Sequence, residues 1–188
     1  MTHDVIQYRT QRADIIPAGR NLIKLDIELR AESKEYRLKV KIAPLVSKYN
    51  YIVIDTPPAL GILTVNALTA ANSLIIPAQA DLYSLQGIGQ LYDTIEMVTA
   101  YTNPNLVLNG VLLTRHNARN IISRDMADTA KSTASEIGTF LYSTVIRECI
   151  AIREAQASQK TIYEYAPKSN ASQDYLNFAD EFIRRKKS

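Results

Sequence analysis

The sequence predicts a doubly wound α/β domain with a mostly parallel sheet, and three observations lead to this fold class. Short apolar runs alternate along the chain with longer segments of helical periodicity, which is the order that parallel βαβ units produce. These runs are continuously apolar, as expected of strands that are covered on both faces. The 188 residues, 46% of them hydrophobic and 22% charged, suit a single domain over residues 1–188.

The first elements are a short strand and a long helix. Residues 13–19 form an apolar run that a proline and a glycine stop, which predicts a strand followed by a turn. From Leu22 to Tyr49, apolar residues recur near helical spacing, which predicts a helix. Pro44 lies in the last part of this segment and is expected to end or kink the helix, because proline lacks the N–H that the helix needs.

The next strand is predicted at Tyr51–Ile54 and ends abruptly on a carboxylate. This run is β-branched and aromatic throughout, which is typical of a buried strand. Asp55 follows it directly, at the edge where open α/β sheets bind ligands. Two interpretations of Asp55 stay open from the local pattern: it binds the metal ion of a ligand, or it caps the turn or the next helix.

The middle of the chain continues the alternation. Residues 60–71 predict a helix, and residues 73–77 predict a strand that proline cuts. Residues 84–99 predict an amphipathic helix with one apolar face. Residues 106–114 predict a strand, in which the Asn-Gly pair at 109–110 indicates a turn or a bulge.

The C-terminal part is predicted to hold a helix over 123–137, a last strand over 140–146 and a final helix. Asn170 with Gln173 resembles a capping box for the final helix. Its apolar face is expected to pack on the domain and comprises Tyr175, Phe178, Ala179, Phe182 and Ile183. Its polar side is expected to carry Asp174, Asp180 and Glu181. The basic residues at 184–187 suit the C-terminal end of the helix dipole.

Composition excludes several classes of protein. The net charge of +3 and the pI of about 8.9 permit contact with nucleic acid without requiring it. The single cysteine, Cys149, excludes an internal disulfide framework and indicates a reducing, cytosolic setting. His3 and His116 have no ligand-like spacing. The start of the sequence has no apolar signal core, and no window reaches the length of a membrane span.

The order and spacing of these segments resemble the ParA/Soj partition ATPases, a branch of the P-loop NTPases, from about Ala13 to Ile183. Each segment is weakly specific alone, and the set in this order is specific. The segments that carry the resemblance are Ile15-Ile16-Pro17-Ala18, Tyr51 to Gly61, Thr64 to Leu68, Leu74 to Gln79, Gly110 to Thr114 and Glu154-Ala155.

The resemblance implies a protein that binds ATP and Mg²⁺, forms a nucleotide sandwich dimer and binds DNA without sequence preference. It also implies hydrolysis stimulated by a centromere-binding, ParB-like partner during plasmid or chromosome segregation. The expected location is the cytoplasm, at the nucleoid, without stable membrane association. By the same resemblance, Asp55 is the Walker B carboxylate that holds Mg²⁺ through water. Thr56, Pro57 and Pro58 begin switch II, and Thr114 and Arg115 lie on the adenine side.

The sequence departs from this family at the Walker A loop. None of its six glycines is followed by lysine, and the G-x-x-x-x-G-K-[ST] pattern does not occur. The chain by itself is therefore expected not to hydrolyse ATP, and whether it binds nucleotide stays open. Three explanations stay open, with the first preferred: a C-terminal fragment, half of a split protein, or a chain that pairs an open sheet edge with a second copy.

Basic residues in the second half are the DNA-binding candidates that the resemblance implies. Arg153 is the first choice among them, and Arg147 with Glu148 replaces the Pro-Arg pair common in the family. The full set is Arg153, Arg147, Arg119, Arg124 and Lys168. Two alternative functions stay open. One is a non-catalytic binding module that keeps the family's DNA or dimer surface, and the other is a MinD-like membrane-associated regulator.

Overall fold

The computed structural model describes residues 8–9, 13–19, 22, 33–117 and 121–187, with side chains described over 13–19, 22, 33–117 and 125–186. The helices and strands in chain order are β1 (Tyr8–Arg9), β2 (Asp14–Ile15), α1 (Arg37–Ile42), α2 (Ile62–Ala70), β3 (Ser73–Gln79), α3 (Leu82–Tyr101), β4 (Val107–Thr114), α4 (Ile121–Glu136), α5 (Ile150–Ala157), α6 (Ile162–Tyr165) and α7 (Asn170–Lys187). They divide into two compact units, Met1–Asn72 with Asp93–Leu106, and Ser73–Tyr92 with Val107–Ser188.

The second unit contains two of the predicted strands, and they pair in parallel as the predicted fold class requires. β3 and β4 pair in parallel from Ser73 opposite Val107 to Gln79 opposite Thr114. β3 runs through Pro77 rather than ending there. Among the described strands β3 has one paired neighbour, and proline is tolerated in such an edge strand because its other side donates no ladder bonds.

The predicted strand over 140–146 is present only as isolated parallel bridges, one to β4 and one to the residues that follow it. Leu141 pairs with Val111, and Arg147 pairs with His116. The ladder is interrupted between these bridges because the backbone N–H groups of Ser143 and Thr144 donate to a side chain of α7 and not to β4. A helix side chain therefore replaces part of the expected strand pairing.

The Asn-Gly pair at 109–110 is a bulge and not a turn. The register passes from Leu74 opposite Leu108 to Ile76 opposite Val111, so β4 contains one extra residue. Gly110 has φ of 93°, and a Cβ added there would lie 2.7 Å from a ring carbon of Tyr142. Both the positive φ and the close ring require glycine at this position.

The core of the second unit lies beside this bulge. Tyr142 is fully buried, and its ring meets those of Phe140 and Phe178 edge to face, with centroids 5.1 and 5.0 Å away. Its hydroxyl donates to the carbonyl of Asn109 at 2.8 Å. Burial raises the pKa of Tyr142, although Arg185 acts in the opposite direction. The cluster comprises Leu112, Tyr142 and Ile146, with Ile75, Phe140, Ile152, Phe178 and Phe182 packed against it.

The first unit is held by buried polar side chains as well as by apolar ones. Asn66 of α2 accepts from the backbone N–H of Leu38 and donates to the carbonyls of Lys34 and Ile62. Asn103 donates to two carbonyls at the end of α2, at 2.9 and 2.7 Å. These amides satisfy backbone groups that a helix end would otherwise leave unpaired.

The N-terminal predictions are confirmed in part. The continuous helix predicted over Leu22–Tyr49 is wrong, since Ser33 has a left-handed φ of 59° and the α-helix in the described part of this segment is Arg37–Ile42. β2 pairs with β1 in an antiparallel bridge, which confirms a short strand near residue 14. α1 ends at Ile42 and passes into a 3₁₀ turn that contains Pro44, as the missing N–H of proline requires. Residues 23–32 of the expected long helix lie outside the described residues.

The prediction of a buried strand at Tyr51–Ile54 is wrong. The segment is irregular, and Tyr51 and Val53 are 52% and 90% exposed. In the part of the chain that the structure describes, no strand pairs with it. A β-branched run becomes a strand only where a neighbour accepts its backbone hydrogen bonds, so its composition alone does not determine the structure.

Two predictions about the final helix, α7, are also corrected. Its N-terminus is capped by Ser169, whose Oγ accepts from the N–H of Ser172, and Gln173 instead donates to Asn177. Phe178 and Phe182 of the predicted apolar face pack on the core. The exposed members of that face are Tyr175, Ala179 and Ile183. None of the helices within the described residues has the length and apolar content that a membrane span requires.

Candidate functional site

The carboxyl ends of β3 and β4 form the edge where parallel sheets bind ligands. Thr114 ends β4, and its hydroxyl donates to the carbonyl of Ala78 at 3.2 Å. The next residue, Arg115, donates from its guanidinium to the side chains of Gln79 and Glu148, at 3.4 Å each. The two residues expected on the adenine side, Thr114 and Arg115, therefore lie together at this edge of the second unit.

Arg115 has a left-handed backbone conformation, with φ of 51°. Such a conformation costs a residue with a side chain on the order of 1–2 kcal/mol, and it is found most often where the surrounding structure imposes it. Its guanidinium and the Glu148 carboxylate are both well exposed, so the salt bridge between them contributes at most about 1 kcal/mol. The pair positions the side chain more than it stabilises the fold.

The turn from β3 into α3 is closed by two side chains at the same edge. Asp81 precedes α3, and its carboxylate accepts from the N–H of Ser84 at 2.8 Å. The hydroxyl of Ser84 accepts from the N–H of Gln79 at 2.9 Å. This Asp-x-x-Ser pair is an N-cap that the sequence contains and that the predicted start of the helix at Ser84 overlooked.

Asp55 lies in the first unit, in the irregular segment that precedes α2. Asp55, Thr56, Pro57 and Pro58 are all exposed. The N-cap of α2 is Gly61, which makes no side-chain capping bond, so Asp55 does not cap that helix. Among the described residues, no group of three or more His, Cys, Asp or Glu side chains could hold a metal ion.

Arg147, a candidate for DNA contact, forms a fork with Asp174 of α7. Its Nε lies 2.9 and 3.1 Å from the two carboxylate oxygens, its Nη2 lies 2.6 Å from one of them, and its backbone N–H donates to the other at 3.0 Å. Burial opposes ionisation of Asp174, but the bonds from Arg147 outweigh it, and the pKa of Asp174 is lowered. The same bonds raise the pKa of Arg147.

A second carboxylate of α7, Glu181, holds the segment just upstream. It accepts from the N–H and hydroxyl of Ser143 at 3.0 and 2.7 Å, and from the N–H of Thr144 at 2.8 Å. Burial raises its pKa, but these bonds outweigh burial and lower the pKa from 4.5 to about 2. Arg185 lies 3.1 Å from Glu181 and stacks over the ring of Phe140, 4.1 Å from its centroid.

The spacing of the two carboxylates matches the segment that they hold. Asp174 and Glu181 are seven residues apart, about 10 Å along a helix that rises about 1.5 Å per residue. Three residues of extended chain, from Thr144 to Arg147, also cover about 10 Å. The expectation that Asp174 and Glu181 lie on the polar side of the helix is therefore wrong, since they are only 5% and 7% exposed. Asp180 is exposed as expected.

The remaining DNA-binding candidates are distributed over several elements. Arg153 lies on α5 and Lys168 precedes α7, and both are exposed. Arg124 lies on α4, but its side chain is outside the described residues, and Arg119 lies outside them entirely. The side chains of Arg153 and Lys168 are therefore accessible to a ligand, whereas that of Arg147 forms a salt bridge with Asp174.

Sequence reasoning missed the capping box of α6 as well as the two buried carboxylates. Thr161 accepts from the N–H of Glu164, and Glu164 accepts from the N–H of Thr161. The Thr-x-x-Glu signal was present in the sequence. For Asp174 and Glu181 the available signal was their seven-residue spacing, which places them on one face of the helix with Phe178 and Phe182.

The amino-acid sequence is similar to a described protein family and to several named proteins. A family model described as AAA domain matches residues 1–108. The sequence is 38% identical over 180 residues to the sporulation initiation inhibitor protein Soj of Bacillus subtilis, covering 95% of this chain and 70% of that protein. It is 37% identical over 177 residues to the chromosome partitioning protein ParA of Caulobacter vibrioides, covering 93% of this chain and 65% of that protein.

A solved structure also has the same fold. The cobyrinic acid a,c-diamide synthase of Mycobacterium smegmatis, with a bound ATP analog and magnesium, matches with a TM-score of 0.80 and 30% sequence identity. The match covers 100% of this chain and 68% of that one. The chain therefore spans about two thirds of the length of each of these proteins.

Proposed function

The chain belongs to the ParA/Soj family of partition ATPases, and on that premise we propose that it acts in the segregation of plasmid or chromosomal DNA. The observation that carries this proposal is its 37% identity, over 93% of the chain, to a protein named for chromosome partitioning. The carboxyl edge of β3 and β4, with Thr114 and Arg115 on it, supports the same conclusion because this is where α/β sheets of this kind take their ligands. In this proposal the protein works as a homodimer with a centromere-binding, ParB-like partner at the nucleoid.

ATP and Mg²⁺ are the proposed ligands of the protein. The similar synthase structure holds an ATP analog and magnesium. Asp55 is an exposed carboxylate, and such hard oxygen ligands suit a Mg²⁺ ion that keeps several waters and takes the rest of its shell from phosphates. Asp55 would hold the ion through water. Thr56, Pro57 and Pro58 would form the segment that senses the γ-phosphate. Thr114 and Arg115 would lie on the adenine side.

Hydrolysis by this chain alone is not part of the proposal. Phosphoryl transfer depends on positioning and charge stabilisation, which the lysine and backbone N–H groups of a glycine-rich loop supply in such enzymes. No glycine of this sequence is followed by lysine. A steady-state assay with millimolar Mg·ATP should therefore show no turnover above a buffer blank. Turnover that is lost in Asp55→Ala would contradict this expectation.

DNA binding without sequence preference is proposed for the exposed basic residues of the second unit, with Arg153 as the main contact. Each lysine or arginine that neutralises a phosphate releases a counterion. A plot of the logarithm of the binding constant against the logarithm of the salt concentration therefore falls with a slope of about 0.9 per contact. Fluorescence anisotropy with a duplex of arbitrary sequence, titrated from low to high KCl, measures this slope. Arg153→Ala should lower the slope by about one.

The matched control for this experiment is Lys131→Ala on α4. Lys131 is also an exposed cation, and it is not among the candidates. Its loss should leave the salt slope unchanged. If both variants lower the slope equally, the binding reflects only net charge, and Arg153 has no special role.

A non-catalytic binding module is the second candidate function, and the absence of the Gly-Lys pattern favours it. Such a module would bind DNA or a partner chain with the same surface and would respond to no nucleotide. Repeating the DNA titration with and without Mg·ATP separates the two functions, because only the nucleotide-dependent protein would change its affinity.

A further inference from the structure

α5, which carries Arg153, is a short helix that contributes little fully buried surface to the second unit. It is eight residues long, and Ala155 is its one fully buried residue among those described. Ile152 is partly buried and packs against the core cluster. Helices this short are marginal alone, so tertiary contacts determine where they lie.

Polar contacts also hold α5 and the residues just before it, where the backbone N–H of Glu148 donates to the carbonyl of His116. At its far end, the hydroxyl of Tyr165 donates to the carboxylate of Glu154 at 3.3 Å, in an exposed setting. At its near end, the N-cap Cys149 makes no side-chain capping bond. Arg147, two residues before that cap, is held through its backbone and its guanidinium by the buried carboxylate of Asp174. The strongest polar contact therefore lies at the entrance to the helix.

We propose that Asp174 is a positioning residue for Arg153: by clamping Arg147 onto α7, it fixes the start of α5 and holds Arg153 in place for a phosphate. This inference rests on the proposed DNA-binding function. The carboxylate acts at a distance, because Arg153 lies six residues beyond Arg147 and is exposed. Its contribution is pre-organisation, which lowers the cost of ordering a contact when the ligand binds.

The direction in which Asp174→Asn changes the DNA affinity distinguishes a positioning role from a purely electrostatic one. Asp174→Asn removes a negative charge, and charge alone would make the protein bind DNA more tightly. Freeing the guanidinium of Arg147 would add a phosphate contact and make the salt slope steeper. Loss of positioning instead weakens binding, by about three- to tenfold, and leaves the slope unchanged.

The matched control is Asp180→Asn. Asp180 lies on the same helix and is exposed, so this variant makes the same charge change away from the clamp. It should bind DNA as well as the unmodified protein or slightly better. Thermal melts of all three proteins show whether each is folded at the temperature of the titration.

Hydrogen exchange followed by mass spectrometry tests the clamp without DNA. In Asp174→Asn the amides of residues 150–157 should exchange faster, while those of β3 and β4 keep their protection. Unchanged exchange in α5 overturns the inference, and so does tighter or steeper DNA binding. If Asp174→Asn does not fold, Arg147→Lys, which keeps the charge and loses the fork, is measured in the same way.

The two proposals fail in different ways. If the amides of α5 exchange faster in Asp174→Asn but Arg153→Ala leaves the salt slope unchanged, Asp174 does fix the helix and the proposed DNA contact is wrong. If Arg153→Ala lowers the slope while Asp174→Asn leaves affinity and exchange unchanged, the DNA contact is supported and the positioning role is wrong.

Discussion

Two apolar runs of this chain have similar sequences and different structures. Tyr51–Ile54 is β-branched and aromatic, ends on a polar residue, and is exposed and irregular. Val111 to Leu113, in β4, is equally apolar, ends on Thr114, and is almost completely buried between β3 and the 140–148 segment. The difference lies in the neighbours, because β4 has hydrogen-bonding partners on both sides.

The 140–148 segment is an intermediate case. It shares backbone bonds with β4 at both ends, and a carboxylate of α7 satisfies the N–H groups between them. A strand-forming sequence thus becomes ordered when its backbone groups find partners, whether these partners are another strand or a helix side chain. The three predictions below test this comparison.

The largest expected difference is between core and exposed apolar residues of the two runs. Leu113 is 1% exposed, and Leu113→Ala should lower the free energy of unfolding by about 2–5 kcal/mol, because it removes buried surface and leaves a cavity. Val53→Ala, at the exposed run, should change it by less than about 0.5 kcal/mol. Urea denaturation of both variants measures the contrast. Equal losses would mean that Val53 is buried in the folded protein.

The bulge of β4 gives the next effect. Gly110→Ala should cost about 2–3 kcal/mol, because the new Cβ meets the rings of Tyr142 and Phe140 and the residue has a positive φ. Gly87→Ala is the matched control, since a Cβ there meets nothing within 4 Å and α3 favours alanine over glycine. The control should gain up to about 1 kcal/mol in the same denaturation experiment. A tolerated Gly110→Ala would show that the bulge can rearrange.

Glu181→Gln tests the helix side chain that replaces strand pairing. The folded pKa of about 2 lies below the usual 4.5, so the ionised carboxylate stabilises the folded state above pH 4.5. That contribution, about 3 kcal/mol, is lost as the pH falls from 4.5 towards 2. The variant should be less stable at pH 7, and the difference should shrink in acid.

Denaturation at pH 7, 5 and 3 measures this trend for Glu181→Gln. Glu136→Gln, at an exposed carboxylate of α4, is the control and should change little at any pH. A difference from the unmodified protein that stays constant with pH would show that the glutamine side chain merely packs badly.

Much of the fold was predictable because periodicity reports directly on helices. The amphipathic pattern of 84–99 lies inside α3, and the prediction for 60–71 contains α2. The bulge at 109–110 was also among the predicted alternatives, since an Asn-Gly pair readily adopts the positive φ that turns and bulges need. These features depend on a residue and its close neighbours in sequence.

The candidate site was less predictable. Thr114 and Arg115 lie at the expected sheet edge, but the link of Arg115 to Glu148 joins residues 33 positions apart. The engagement of Arg147 by Asp174 likewise depends on how α7 packs. A charged residue in a sequence does not reveal whether its partner is water or a buried carboxylate.

The sequence by itself determined the alternation of helices and apolar runs, the glycine at the bulge and the relationship to the partition ATPases, because each of these is recorded in local pattern and order. Only the tertiary structure decided which apolar runs become strands and which charges are buried. Backbone hydrogen bonds and ion pairs need a partner at about 3 Å, and residues distant in the sequence supply that partner. Asp174 and Glu181 show this most directly, since packing converts two expected surface charges into the clamp that orders 143–147.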